Sequence, residues 1–160
     1  MPILAARAHA QVCLSSRPQG KAKAAHCNYS IRQLDIGNAF VEAYLPPEEE
    51  VYMDSIPGFE RPVYAIKLVK SLYGLKQSPK HWADLLSDFL IKLGYKRSSF
   101  DSCLYQYKDA YTKKEINIAC YVDDLLITSC KEYIDQLVYA LQQQFTVRDL
   151  GEPSTFLGME

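Results

Sequence analysis

Along this chain the hydrophobic positions change period several times, and each change marks an element. Residues 31–36 (IRQLDI) alternate and predict a short strand ending near Asp35. Residues 51–53 and 63–69 are β-prone runs. Pro57-Gly58 between them is a turn signal, so a hairpin or loop-joined strand pair is expected. From Ser78 the period lengthens, and Trp82, Leu85, Leu86, Phe89, Leu90 and Leu93 recur at helical spacing. Ser78 suits the N-cap, Pro79 the first helical position and Gly94 the C-terminal stop. Residues 103–107, 116–122 and 125–128 are strand-like, with Asp123-Asp124 between the last two. Residues 131–144 return to helical spacing, with Ile134, Leu137, Val138 and Leu141 inward. After Phe145, a turn at Gly151-Glu152-Pro153 leads into a last strand-like run. This order predicts an α+β domain, an antiparallel sheet covered by helices, close to a ferredoxin-like arrangement.

Composition agrees with a folded core: 160 residues, 48% hydrophobic and 23% charged, argue against disorder. A formal net charge of −1 excludes a diffuse polycationic nucleic-acid binder. The charges nevertheless fall in blocks. Residues 1–34 hold five bases and no acid, 35–60 seven acids and no base, and 61–82 five bases and no acid. Blocks of this kind are commonly solvated faces; they also suit a site that holds cations and a polyanion together. No apolar run is long enough for a membrane span, so no membrane partner is expected. The five cysteines are odd in number and lack C-x-x-C spacing, which supports neither a zinc site nor a disulfide framework. Reduced thiols in an intracellular compartment are expected.

The acidic pair carries the candidate chemistry. Asp123-Asp124 lies between apolar strands, where a plain turn is one reading. Two-residue hairpins, however, prefer Asn-Gly or Asp-Gly, and adjacent like charges repel. A bound divalent cation relieves that repulsion, and carboxylate oxygens suit magnesium. Asp35, at the end of its own predicted strand, supplies a third carboxylate if that strand lies beside the hairpin. Three carboxylates around two ions form an arrangement for in-line phosphoryl or nucleotidyl transfer.

These residues carry a resemblance. Tyr121-Val122-Asp123-Asp124 resembles the YxDD box of reverse transcriptases. Residues 33–40 (QLDIGNAF) resemble their first acidic motif, and residues 70–79 (KSLYGLKQSP) the SLYGLKQAP block of copia-type LTR retrotransposons. Glu49-Glu50-Val51-Tyr52-Met53, Pro57-Gly58-Phe59, Arg148-Asp149-Leu150-Gly151 and Phe156-Leu157-Gly158 are similar to that family's remaining blocks, in order. The resemblance covers residues 31–160 and implies a ferredoxin-like polymerase palm, with incomplete fingers and no thumb. Residues 1–30 stay unassigned, a truncated piece of fingers being one reading of them.

The resemblance implies an RNA-directed DNA polymerase of a retrotransposon polyprotein, adding deoxynucleotides to a primer 3′-hydroxyl. Asp35, Asp123 and Asp124 would be the catalytic, metal-binding residues, with two Mg2+ ions (Mn2+ as the alternative). Phe40, Gly74, Lys76 and Tyr121 would line the nucleotide site. For Phe40 the bland reading is core packing, and for Lys76 a solvated surface. Gly74 would let backbone approach the nucleotide or template. Phe156, Leu157 and Gly158 would be primer-grip-like, or simply an edge strand. Implied partners are RNA or DNA template with primer, dNTP and other segments of the retroelement polyprotein. The implied location is intracellular, in cytoplasm, nucleus or virus-like particles. The competing expectation is a catalytically inactive remnant or interaction module retaining the palm fold. A polymerase needs a clamp with many phosphate contacts, so the isolated chain is expected to polymerise weakly or not at all.

Overall fold

The computed structural model describes residues 29–54, residue 58 and residues 65–153. In chain order these form β1 (Ser30–Ile36), α1 (Ala39–Glu42), β2 (Tyr52–Met53), β3 (Ile66–Lys67) and α2 (Ser78–Lys92). There follow β4 (Lys96–Arg97), β5 (Leu104–Lys108), β6 (Glu115–Tyr121), β7 (Asp124–Ser129), α3 (Lys131–Gln144) and β8 (Val147–Gly151). The fold is α+β. Among the described residues, those up to Gly37 and those from Ser87 onward make one compact unit, and those between Asn38 and Leu86 a second.

The first unit is built on a six-stranded sheet in the order β4-β5-β6-β7-β1-β8, with every pair antiparallel. Register and the two-residue period assign its faces. Leu34 pairs with Leu125, and Ile127 with both Arg32 and Ile118, so these side chains share one face. Leu34, Leu125, Ile118 and Ile127 are all fully buried there. Helix α3 packs on that face through Ile134, Leu137, Val138 and Leu141, the four positions its spacing predicts. Arg32 joins the layers, donating from Nη1 to Asp135 of α3 at 2.6 Å and lying 3.4 Å from Asp149 of β8. Phe145, just past α3, meets Phe89 edge-on at 5.2 Å between ring centroids. The opposite face carries Gln33, Asp35, Tyr121 and Asp124.

The second unit is smaller. Strands β2 and β3 pair through Tyr52–Lys67 and Met53–Ile66. A bridge joins Tyr44 to Lys70, whose ammonium sits 4.9 Å from the Tyr44 ring centroid. His81 lies 2.9 Å from the Glu49 carboxylate.

Several sequence expectations need correction. Ser78 is the first helical residue of α2 and does not cap it; its hydroxyl donates to the Leu72 carbonyl at 2.7 Å. Leu93 is not part of the buried stripe. The helix ends at Lys92, Gly94 turns the chain with φ 92°, and Tyr95 takes the buried position. Among the described residues of the run 63–69, only the short β3 is strand. Strand β8 forms over Val147–Gly151, where no element was expected ahead of the turn at Gly151-Glu152-Pro153; Gly151, at its end, carries a positive φ of 75°. Most of the loop around Pro57-Gly58, the last strand-like run and residues 1–28 lie outside the described residues. Among the described residues no helix is long and apolar enough to cross a membrane.

Candidate active site

The β6–β7 hairpin closes on the pair Tyr121–Asp124, so its two connecting residues are Val122 and Asp123. This corrects the reading of Asp123-Asp124 as the turn itself: Asp124 is the first residue of β7. The reason is the core. This register sets the fully buried Ile127 directly opposite the fully buried Ile118 and keeps Leu125 on the same face. Val122 takes a φ of 55°, in the left-handed region, and Asp123 is not among the positive-φ residues. That is the sign pattern of a type II′ hairpin, whose first central position favours glycine. A β-branched residue there stores strain on the order of 1–3 kcal/mol, a feature typical of functional turns.

Strand β1 delivers the third carboxylate. Asp35 is the direct cross-strand partner of Asp124, so both side chains lie on the same face at the same end of the sheet. The Ile36 amide donates to the Asp123 carbonyl at 2.8 Å and ties the turn to β1. On its other side Asp35 pairs in register with Arg148 of β8. Tyr121, Asp124, Asp35 and Arg148 therefore form one row across four strands.

The electrostatics follow from this row. Burial pushes the Asp124 carboxyl above the usual carboxylate value; the charges of Asp123 and Asp35 add to this. Gln33 opposes the shift, donating from Nε2 to Asp124 Oδ1 at 3.2 Å. Asp35 Oδ2 lies 3.8 Å from Nη1 of Arg148, whose side chain is 74% exposed, so this ion pair is weak.

Three carboxylates with hard oxygen donors are the chemistry that Mg2+ or Mn2+ takes, and Asp35, Asp123 and Asp124 would hold it. Among the described residues, no group of three His, Cys, Asp or Glu side chains stands arranged as a ligand set. Asp35 leans toward Arg148, and Asp124 is held by Gln33. The mutual repulsion felt at Asp124 is what a divalent cation would relieve.

The remaining expected residues divide. Tyr121 stands beside Asp124 in the first unit. Phe40, Gly74 and Lys76 belong to the second unit. Phe40, on α1, packs on Tyr73 with ring centroids 4.6 Å apart. Gly74 has a φ of 98°, and an added Cβ would meet nothing within 4 Å. Its conformation, rather than crowding by the protein, calls for glycine. Lys76 is exposed. Phe156, Leu157 and Gly158 lie outside the described residues. Gln33 and Arg148 were missed as site neighbours. Gln33 could have been found, since it sits two places before Asp35 and so shares its face. The place of Arg148 depends on long-range register, which no local pattern reports.

Comparison with known proteins sharpens this. A family model described as reverse transcriptase (RNA-dependent DNA polymerase) matches residues 16–160. The retrovirus-related Pol polyprotein from transposon RE1 of Arabidopsis thaliana is 39% identical over 137 residues, which is 83% of this chain and 9% of that protein. The corresponding polyprotein from transposon TNT 1-94 of Nicotiana tabacum is 37% identical over 141 residues, 86% of this chain and 10% of that protein. A putative transposon Ty5-1 protein of Saccharomyces cerevisiae is 32% identical over 130 residues, 79% of this chain and 41% of that protein. The chain spans about a tenth of the length of these plant polyproteins.

Proposed function

Because this chain belongs to the reverse transcriptase family and is similar to Pol polyproteins of copia-type transposons, we propose that it is the palm of an RNA-directed DNA polymerase. The observation that carries the reading is the cross-strand pair Asp35–Asp124, with the Asp123 turn tied to it by the Ile36 amide. The strand order β6-β7-β1-β8 supports it: strand, helix-bearing connection, hairpin, helix and strand fold into one antiparallel sheet, a split βαβ layout. Residues 31–160 are read as this palm-like domain, with 1–30 a separate segment.

In the proposed reaction a primer 3′-oxygen attacks the α-phosphorus of a dNTP, and pyrophosphate leaves. Two Mg2+ ions, or Mn2+, would activate the attacking oxygen and steady the leaving group. The chain's part is to hold the carboxylates at one sheet end. Asp35 and Asp123 are assigned as the main ligands, with Asp124 a nearby contributor. The Phe40 ring, backed by Tyr73, is assigned to the incoming sugar, where it would clash with a 2′-hydroxyl. Gly74, Lys76 and Tyr121 are assigned to the nucleotide, and Phe156, Leu157 and Gly158 to the primer end. The partners are a template with primer, dNTPs and further segments of a polyprotein, within the cell.

Single-nucleotide primer extension on an RNA template, at high protein concentration with Mg2+, tests this. Asp35→Asn and Asp123→Asn should each remove about a hundredfold or more of any extension by the unmodified chain, as loss of a main electrostatic contributor does. Equal signal from all three proteins overturns the catalytic reading.

A further inference from the structure

We propose that Gln33 is a positioning residue for Asp124, its side-chain amide fixing the carboxylate that faces Asp35. The inference rests on the polymerase reading and adds a residue behind its metal site. Gln33 and Asp35 are two places apart on β1 and share a face, and Asp124 stands directly across from Asp35. Gln33 is thus the diagonal neighbour of Asp124, within reach of a long side chain. Its Nε2 donates to Oδ1 at 3.2 Å in a partly buried setting.

The type of group matters. An amide donor orients a carboxylate and keeps no competing charge beside it, unlike Arg148 next to Asp35. A lysine at 33 would act as a counter-ion, and a glutamate would repel. The bond engages Oδ1 alone and does not commit the second oxygen to a protein partner. Groups that hydrogen-bond a ligating carboxylate from behind typically control metal affinity by about 10–100-fold.

The test is Mn2+ binding by the full chain, followed through the relaxation rate of water protons, which needs no catalysis. Four proteins are compared: unmodified, Gln33→Leu, Asp124→Asn and the double variant. Circular dichroism and urea midpoints establish that each is folded. Gln33→Leu is expected to weaken Mn2+ binding roughly tenfold when Asp124 is present, and to have no further effect beside Asp124→Asn. Gln33→Met, which keeps an unbranched chain, carries the same expectation if leucine perturbs folding. The same weakening in both backgrounds, or none in the first, overturns the positioning role and leaves the polymerase reading standing. No Mn2+ binding by the unmodified, folded chain overturns both.

Discussion

Asp35 and Asp124 face each other across the β1–β7 ladder, two carboxylates in direct cross-strand register on one face of the sheet. Like charges directly opposite one another destabilise a sheet. The chain keeps them there, adds Asp123 in the adjoining turn, and so holds a local electrostatic tension at one end of the ladder.

That tension has a pH signature. The Asp124 carboxyl titrates above its ordinary value of 3.8, chiefly through burial, so the folded state holds its proton more tightly than the unfolded chain. Stability must therefore fall as pH rises from the unfolded value through the folded one, and stay lower above it. Asp124→Asn keeps the acceptor for Gln33 and removes the charge. It should raise the thermal midpoint by a few degrees at neutral pH, with the gain shrinking as the medium is acidified below the ordinary carboxylate range. A gain that persists unchanged at low pH would contradict this origin.

The hairpin turn stores strain of a different kind. Val122 adopts a φ of 55°, which asparagine tolerates far better than a β-branched side chain. Val122→Asn should stabilise the fold by about 1 kcal/mol in urea unfolding. A clear loss of stability would show that the valine side chain outweighs its backbone strain.

Ile127 is fully buried in the centre of the sheet, between Ile118 on β6 and Arg32 on β1. Ile127→Ala should cost about 2–5 kcal/mol, with the slope of the urea transition unchanged. A loss below about 1 kcal/mol would mean that the site collapses onto the cavity.

Arg32 links β1 to α3 and β8 through Asp135 and Asp149, and its side chain is 19% exposed. Arg32→Met keeps much of the packing and leaves two acids without their cation. A loss of about 1–3 kcal/mol is expected. The difference from the unmodified chain should narrow in high salt, because part of it is screened charge; a salt-independent difference would point to packing instead.

Much of this was legible locally. The inward positions of α3 follow from 3.6-residue spacing alone, since burial of one helix face needs no knowledge of the partner. Strand β1 was legible from the alternation around Leu34 and Ile36. The misplacements share another cause. Strand β8 exposes Arg148, Asp149 and Leu150, so no hydrophobic pattern announces it; pairing with β1 makes it a strand. Leu93 matched the helical period but fell past the end of α2, because Gly94 turned the chain and Tyr95 filled the core.

The candidate site divides along the same line. Sequence alone singled out the side chains proposed to carry the chemistry: three acids at the ends of apolar strands, in motifs similar to those of reverse transcriptases. Only the tertiary structure decided that Asp35 meets Asp124 rather than Asp123, that Gln33 holds the latter's neighbour in place, and that Arg148 closes the row. The physical reason is register. Composition and period are properties of short segments, whereas the partner of a strand residue is chosen by whichever pairing buries Leu34, Leu125 and Ile127 together.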